Sequence, residues 1–587
     1  MAPVSRFVSI DKSSSNFVVN GKNLNFVGTN AYWLPTLNSE ADIDTVLANM
    51  SAAGVKVVRT WAFNDVHAIP ESGTWFQLIA NGTTFINTGP NGLQKLDTVI
   101  SLAEKHGIFV VLSLTNNWNP LTLLNNSPNG VSIRGRKANP GKGSTTLPRN
   151  TLSNDFGGMD AYVREFGKTG KHDEFYTNPT IMSHFLNYTA FIVSRYRNNT
   201  AIFSWEVAND PRCGSSLPAS PSCNTTTVTK FHVAASTHIK TVDPNHLVSS
   251  GNQGFICNNC TKIIPKPPPD SPPVIIPQMP DSPLPANLPS PPNSTSLSNS
   301  TSPSDSTSPS NSTSPSNSSS PSNSTSPTNS SSPSNSTSPP NSQSPPDSQS
   351  SPDSQSPPSP TSTPAAARPS ASPNPLPPGA RSVAKAKRLL KQVAAERKSI
   401  LMKIRKLRAK TGDTSGFTRI RGKWMAPPTS GKRQSISPDQ DFGPAFDGSQ
   451  GVDSQDILNI PDISFSTFQL FPDQDSYGLN DPTLPAFNNT VNQGLAWIKQ
   501  HAAIGMMVNK PVTLNGFGLV SQSNAPFFVP FNTTGSPFTS ISGNSMPGSN
   551  SASFVTDEQR DQAYAMWLRA GLEAGLQGMF QYQGCLK

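Results

Sequence analysis

The chain has 587 residues, of which 34% are hydrophobic and 59 are proline, so its apolar content is too low for the whole length to be packed core. A net charge of +9 is a feature of many nucleic-acid-binding proteins, but the positive charge is concentrated in one segment. Arg381 to Lys410 contains twelve Lys or Arg and one Glu. The rest of the chain is therefore close to neutral, which argues against a nucleic-acid-binding function for it.

The N-x-S/T sequences favour a secreted protein, because glycosylation acceptors are used in the secretory pathway. No window approaches 18 consecutive apolar residues, so we expect no transmembrane span. Met1 to Lys12 lacks the apolar core of a signal peptide, and we expect an incomplete N-terminus and an incomplete C-terminus at Lys587. The predicted location is extracellular, in the cell wall. Examples outside the repeats are Asn81, Asn187, Asn198, Asn224 and Asn532.

Five cysteines form two close pairs and leave one over. The pairs Cys213 with Cys223 and Cys257 with Cys260 suit local disulfides in an oxidising compartment, and Cys585 is the fifth. The C-N-N-C spacing is also typical of a redox-active pair or half of a zinc site. Because no second C-x-x-C or His pair at ligand spacing occurs, we predict disulfides and neither a metal nor a cofactor.

Apolar runs of strand length alternate with amphipathic segments of helix length. The predicted strands are 23–31, 55–62, 109–114, a run from Ile202, 246–250, 463–471, 511–517 and 576–582. The predicted helices are 41–53, 93–106, 180–196, 228–241, 491–503 and 557–571. Eight such strands predict a closed (β/α)8 barrel with its site at the strand C-terminal ends. The alternative is an open doubly wound sheet, but no G-x-G-x-x-G or phosphate loop indicates nucleotide binding.

A long insertion divides the predicted barrel. We assign residues 1–264 to strands one to five, 265–380 to a spacer, 381–445 to a basic helix and linker, and 446–587 to strands six to eight. In the spacer, proline recurs every six residues from Pro303 to Pro339, with Ser, Thr and N-x-S/T sequences between. This composition predicts an extended, disordered and glycosylated segment. It resembles the Ser-Pro-rich spacers of plant-type and algal wall glycoproteins.

The basic segment has one apolar stripe at helical spacing. One interpretation is a solvated helical spacer. Another is a helix that docks on an acidic wall polysaccharide or a membrane surface. Nucleic acid is disfavoured because no aromatic residue lies between the charges. The stripe comprises Val383, Ala386, Leu390, Val393, Ile400, Ile404 and Leu407.

An ordered series of motifs resembles one enzyme family. The series is F-V-G-T-N-A-Y-W-L, V-V-R-T-W-A-F, L-T-N-N-W, F-G-G-M-D-A-Y-V, W-E-V-A-N-D-P-R-C, D-P-N-H-L-V, G-V-D, F-P-D-Q and K-P-V-T-L-N-G-F-G. In this order it is similar to endo-1,4-β-mannanases of glycoside hydrolase family five, of the plant and fungal type. The resemblance covers both flanks of the insertion. It implies a (β/α)8 barrel and a β-mannan substrate.

The resemblance also implies two catalytic positions, and this chain departs from the family at both. Retaining hydrolysis needs an acid/base and a carboxylate nucleophile about 5 to 5.5 Å apart. The acid/base Glu of the family's N-E-P motif corresponds to Asp210, which is one methylene shorter. The nucleophile Glu before Phe-Gly corresponds to Gly516, which has no side chain. The adjacent Asn515 is predicted to point to the other face of the strand.

Sugar-binding positions are retained more fully. Five residues match the family's pattern: Arg59, Trp61, Asn116, Trp118 and Asn209. The family's strand-six His and Tyr and its strand-eight Trp correspond to Gln469, Phe471 and Tyr582. Trp61 and Trp118 also suit ordinary core positions. Glu206 is predicted to be a buried partner of a basic group such as Arg59. His172 and Asp173 are predicted to form a pair in a surface loop.

Two functions follow from this pattern. One is a secreted mannanase with weakened activity, in which Asp210 acts as acid/base and a water molecule or Glu206 replaces the nucleophile. The other is a catalytically inactive mannan-binding wall protein that keeps the cleft. Gene-model error is a third explanation for the departures, although the residues around Gly516 show no sign of a frameshift. In each case we expect a monomer whose partner is β-mannan or a related wall polysaccharide.

Overall fold

A computed structural model of the chain describes residues 7–11, 13–120, 130–131, 147–265, 378–411, 418–420, 423–425, 443–523 and 555–582. Residues 266–377 of the spacer, Cys585 and Asn532 lie outside this set. The described fold is a (β/α)8 barrel, as the alternation of strands and helices predicted. The open doubly wound sheet is excluded because the eight strands form a ring.

Eight parallel strands form the ring. They are β1 (Phe26–Asn30), β2 (Val57–Trp61), β3 (Phe109–Ser113), β4 (Ile202–Glu206), β5 (Leu247–Ser249), β6 (Ser466–Leu470), β7 (Val512–Phe517) and β8 (Gly578–Gln581). Each strand pairs with its neighbours in chain order, and β8 pairs with β1. A parallel bridge between Ser249 and Phe465 joins β5 to the start of β6 and closes the ring.

Helices surround the strands on the outside. The long helices are α1 (Glu40–Ala52), α2 (Leu93–Lys105), α3 (Pro179–Tyr196), α4 (Thr225–Val242), α5 (Pro378–Thr411), α6 (Ala486–Val508) and α7 (Asp557–Ala574). Shorter helices are Leu34–Thr36, Met159–Phe166, Glu174–Thr177 and Ser454–Leu458. Strands outside the ring are Ser9–Asp11, Asn16–Val19, Lys22–Asn23, Asp65–Val66, Gln77–Ala80, Thr83–Ile86, Gly130–Val131, Leu147–Pro148, Thr418–Ile420 and Lys423–Met425. Every helix in the described ranges is too short or too polar to traverse a lipid bilayer.

An aromatic cluster fills the end of the barrel where the strands begin. Phe17, from the N-terminal antiparallel sheet, packs edge-on against Phe203 and Phe465, with ring centroids 4.9 and 5.1 Å apart. Phe26 and Phe580 complete the cluster, and all five side chains are buried. Because apolar side chains fill this end, the polar residues at the other end of the strands are the ones that face a cleft.

The predicted basic helix is observed as α5, and it packs along α6. Ala386 and Val393 from its apolar stripe are 0% and 3% exposed. Arg397 donates to Gln500 at 2.8 Å, and its guanidinium lies 4.4 Å from the centre of the Phe446 ring. The interpretation of α5 as a solvated spacer is therefore wrong for Ala386 and Val393, which are buried, whereas Val383 and Leu407 at the two ends of the stripe are exposed.

Candidate active site

The predicted site residues all lie at the C-terminal ends of the barrel strands. Arg59 is in β2, Gln469 is in β6 and Gly516 is in β7. The others follow strand ends: Asn116, Trp118, Asn209, Asp210, Phe471 and Tyr582 stand just after β3, β4, β6 or β8, and Trp61 ends β2. Parallel strands bring their C-terminal ends to one rim, so six different segments of sequence meet there.

A buried ion pair lies at the centre of the rim. Glu206, at the end of β4, is 0% exposed and Arg59 is 2% exposed. Arg59 donates from Nε to Glu206 Oε2 at 2.9 Å and from Nη2 to Oε1, so the pair is bidentate. Asn515 Nδ2 donates to Glu206 Oε2 at 2.7 Å. The prediction that Glu206 is a buried partner of Arg59 is confirmed, and both of its oxygens are occupied.

Amide side chains extend this network toward the cleft. Asn209 Oδ1 accepts from Arg59 Nη2 at 2.8 Å and from Gln469 Nε2 at 3.4 Å. Asn209 Nδ2 donates to Asn116 Oδ1 at 2.8 Å. Asn116 in turn donates to the backbone oxygen of Trp118 at 2.7 Å. The orientation of Asn209, the only one of these amides that is more than slightly exposed, is thus fixed from three sides.

Asp210 is held by two donors in a left-handed backbone conformation. Its φ is +55°, and its N–H donates to the oxygen of Gly251 at 2.9 Å. Trp118 Nε1 donates to Oδ2 at 2.8 Å, and Arg212 donates to both carboxylate oxygens at 2.9 and 2.8 Å. Burial raises the pKa of Asp210 above its usual value, although Arg212 and Trp118 oppose the increase. A carboxyl group with a raised pKa holds a proton more readily, as a general acid requires.

An aromatic ring lies over Gly516, which is itself buried. A Cβ added at this position would stand 3.0 Å from Phe471 Cζ and 3.8 Å from Asn30 Nδ2. The neighbouring Asn515 is turned inward to Glu206. A side chain at position 516 would therefore enter the cleft beside Phe471, which must shift by a few tenths of an ångström to admit it.

The eight predicted sugar-binding residues divide into two sets by exposure. Trp118, Asn209, Phe471 and Tyr582 are partly exposed, whereas Arg59, Trp61, Asn116 and Gln469 are buried. Trp61 is 2% exposed, stacks between two aromatic rings and donates from Nε1 to the oxygen of Ser153 at 3.1 Å. Trp61 therefore offers little surface to a ligand and packs behind the residues of the rim. Phe471 and Tyr582 pack edge-on at 5.1 Å and form part of the rim.

Sequence reasoning missed Arg212, although it follows Asp210 by only two residues. Besides Asp210, Arg212 reaches Asp475 at 3.4 Å, and its guanidinium lies 5.3 Å from the centre of the Trp118 ring. Gln253 donates to Asp475 at 2.8 Å. The W-E-V-A-N-D-P-R run contained Arg212, but nothing in the sequence connected it to Asp475.

The prediction of a surface pair at His172 and Asp173 is wrong. His172 is 0% exposed and Asp173 is 6% exposed. His172 Nδ1 is 2.6 Å from Asp160 and Nε2 is 2.8 Å from Asn117 Oδ1. The backbone N–H of Arg212 donates to Asn117 Oδ1 at 2.9 Å. The cluster thus holds the backbone two residues after Asp210 in place.

Two disulfides lie on either side of one loop behind the site. Cys213 is bonded to Cys223, and Cys257 to Cys260. A Cβ at Gly448 would lie 2.6 Å from the sulfur of Cys260, and one at Gly451 would lie 2.2 Å from the sulfur of Cys213. The loop 448–451 is thus held at both ends. In the described ranges, no group of three or more His, Cys, Asp or Glu is arranged to hold a metal ion.

Comparison with known proteins finds a family that resembles the first part of the chain. Residues 5–265 match the family described as "GH family 5 beta-mannosidase-like". This segment of the barrel is therefore similar to proteins of glycoside hydrolase family 5. The match includes Asp210, whereas Gly516 lies beyond it. This recognises the same family as the motif series.

Curated relatives of the chain include fungal mannan endo-1,4-β-mannosidases. The chain is 42% identical over 242 residues to mannan endo-1,4-β-mannosidase F of Aspergillus clavatus, covering 41% of this chain and 45% of the relative. It is 40% identical over 254 residues to the enzyme of the same name from Aspergillus fumigatus, covering 43% and 48%. The chain thus spans about half the length of the curated relatives it matches.

A solved structure agrees with the barrel fold. The endo-1,4-β-mannanase from Rhizomucor miehei superposes with a TM-score of 0.50 at 19% identity, covering 98% of this chain and 90% of that one. At this identity the likeness supports the (β/α)8 fold alone.

Proposed function

We propose that this chain binds β-mannan in a family 5 cleft and hydrolyses it at most very slowly, because the nucleophile position is Gly516. The substrate class comes from the relatives, which are named as mannan endo-1,4-β-mannosidases. The observation that carries the proposal is the C-terminal end of β7, where the side chain at the nucleophile position is missing and Phe471 lies 3.0 Å from the point at which it would begin.

Glu206, the carboxylate that Asn515 of β7 contacts, is not free to replace the nucleophile. Glu206 is buried, and its two oxygens accept three hydrogen bonds from Arg59 and Asn515. Turning Glu206 toward a sugar would leave the Arg59 charge buried without its partner, which costs several kcal/mol. Loss of a catalytic nucleophile typically lowers the rate by several powers of ten, each worth about 1.4 kcal/mol of barrier.

The acid/base half of the chemistry is better preserved. Asp210 is at the family's acid/base position and has a raised pKa. Its shorter side chain displaces the carboxyl group by roughly 1 Å, which costs on the order of a hundredfold in rate. Asp210 also remains paired with Arg212, so it must give up part of that ion pair to protonate a leaving oxygen. These features support residual acid catalysis at most.

The binding half rests on the groups that remain accessible. Trp118 and Tyr582 offer aromatic surface, and Asn209 offers an amide that its neighbours hold in place. Aromatic rings with a few oriented polar groups are the usual composition of a ligand cleft. We further propose that the protein acts outside the cell, since the two disulfides require an oxidising compartment.

Calorimetry with mannohexaose tests the proposed binding, and an assay for new reducing ends tests the proposed loss of hydrolysis. We expect saturable binding to the full chain and no new reducing ends during long incubation at high protein concentration. Trp118→Ala should weaken binding, and cellohexaose serves as the ligand control. No heat at millimolar mannohexaose would contradict the binding function. Measurable release of reducing ends that Asp210→Asn abolishes would instead support the weakened mannanase with Asp210 as acid/base.

A further inference from the structure

The helix α5 carries charge on the side that faces away from the barrel. Five exposed cations, which we call the outer ridge, lie on this side: Lys387, Arg388, Lys391, Lys398 and Lys406. None of the five has an ion pair with a described residue. At 1.5 Å per residue, the ridge extends for about 28 Å along the helix axis.

Three described cations on the other sides of α5 have partners. Lys403 pairs with Asp481, and Arg397 donates to Gln500. Lys385 donates to the backbone oxygen of Glu573 at 3.2 Å, near the C-terminal end of α7. The single acidic residue of the segment, Glu396, lies 3.7 Å from Lys499 on α6. Among the described residues, no carboxylate forms an ion pair with the outer ridge.

A cleft of about 400 Å³ opens beside the ridge, between α5 and the barrel. Three amides line it, from Asn258, Gln455 and Gln500, together with the cations of Arg397 and Lys398 and an aliphatic wall from α5. Lys398 belongs both to the cleft and to the ridge, so the two are continuous. Amides bind hydroxyl groups, and cations bind carboxylates.

We propose that the outer ridge and this cleft bind a polyuronate, an acidic polysaccharide with a carboxylate on successive sugars. The ridge supplies spaced point charges for the carboxylates, and the cleft supplies amides for the hydroxyl groups of one sugar. This second carbohydrate site is separate from the rim of the barrel and does not depend on the function proposed there.

A membrane partner fits the geometry less well. An amphipathic helix binds a bilayer by burying its apolar face in the interface. In this chain Ala386 and Val393 of that face are buried against the barrel, so they are not available for insertion. Nucleic acid fits less well because Arg381 to Lys410 contains no aromatic residue for base stacking.

Binding of the full chain to polygalacturonate in 50 mM salt is the test. The wild type should bind polygalacturonate and not neutral galactan, and 0.5 M salt should abolish the binding because surface charges are then screened. Lys387→Gln, Lys391→Gln and Lys398→Gln combined should weaken it by roughly tenfold to a hundredfold. Gln455→Leu should weaken it by a few fold through the cleft.

A matched variant distinguishes a specific effect of the outer ridge from a general effect of the protein's net charge. Lys22→Gln, Lys56→Gln and Lys168→Gln remove the same charge from exposed positions elsewhere on the barrel and should leave the affinity unchanged. Equal losses in the two triple variants would overturn the proposal. So would an absence of polygalacturonate binding by the wild type, or ridge-dependent binding of equal strength to vesicles with 25% phosphatidylserine or to a 20-nucleotide DNA. A urea unfolding midpoint equal to that of the wild type would show that the barrel of the ridge variant is folded.

Discussion

Replacing Glu206 with glutamine should destabilise the barrel by about 3–5 kcal/mol, because the buried Arg59 charge then lacks its counterion. Glu206 accepts from two nitrogen atoms of Arg59 and from Asn515. A glutamine amide has one acceptor oxygen, so its NH₂ group must face one of these donors. The variant therefore loses a charge interaction and gains a donor–donor contact at the same position.

The magnitude follows from burial and distance. The side chains of Arg59 and Glu206 are 2% and 0% exposed, and Arg59 Nε is 2.9 Å from Oε2. Two unit charges about 4 Å apart at an effective dielectric constant of about 20 attract by about 4 kcal/mol. Arg59→Met with Glu206→Gln removes both charges, so the double variant should recover at least half of the single variant's loss.

Urea unfolding monitored by tryptophan fluorescence measures these differences. The matched control is Lys105→Met, which breaks an exposed pair with Asp44 and should not shift the unfolding midpoint measurably. A loss below about 1 kcal/mol for Glu206→Gln would refute the reasoning. So would a double variant whose loss equals the sum of the two single losses, since that result means that the charges do not interact.

Two further predictions concern other parts of the fold. Burial raises the pKa of Asp65 to about 8, so the folded state keeps a proton that the unfolded state releases near pH 4. The free energy of unfolding should therefore fall as pH rises from about 4 to 8. Asp65→Asn should flatten the dependence of the urea midpoint on pH, and an unchanged dependence would contradict the assignment. Val393→Asp should detach α5 from the barrel, because burial of the Val393 side chain contributes about 2 kcal/mol. Trypsin should then cleave residues 381–410 roughly tenfold faster or more. Ala395→Asp changes an exposed position, so trypsin should cleave that control variant at the wild-type rate.

Much of the barrel was predictable because its strands and helices carry strong local patterns. The run predicted as a strand at 55–62 is observed at Val57–Trp61, and the helix predicted at 93–106 is Leu93–Lys105. The helix predicted at 491–503 is longer, Ala486–Val508. Its first turn contains Asn488, Asn489 and Thr490, which are weak helix formers. Packing of Asn489 against the segment from Asp481 keeps that turn helical, and such tertiary contacts are invisible in the sequence.

The site was predictable only where residues are close in sequence or match the motif series. The Arg59–Glu206 pair was foreseen because a buried carboxylate at a strand end needs a basic partner. The ion pair between Arg212 and Asp475, and the packing of Phe471 over Gly516, join residues from distant parts of the chain. The burial of His172 depends on Asp160, in the short helix Met159–Phe166, and on Asn117, in the loop after β3. Those contacts follow from barrel closure rather than from local pattern.

The central claim is that mannan hydrolysis is lost because position 516 has no carboxylate. Reducing ends released from mannohexaose should therefore increase by several powers of ten in Gly516→Glu combined with Asp210→Glu. Gly516→Gln with Asp210→Glu has the same size without the nucleophile and should stay at the wild-type level, which controls for the displacement of Phe471. Hydrolysis by the glutamine variant equal to that of the glutamate variant, or efficient hydrolysis by the wild type itself, would contradict the account.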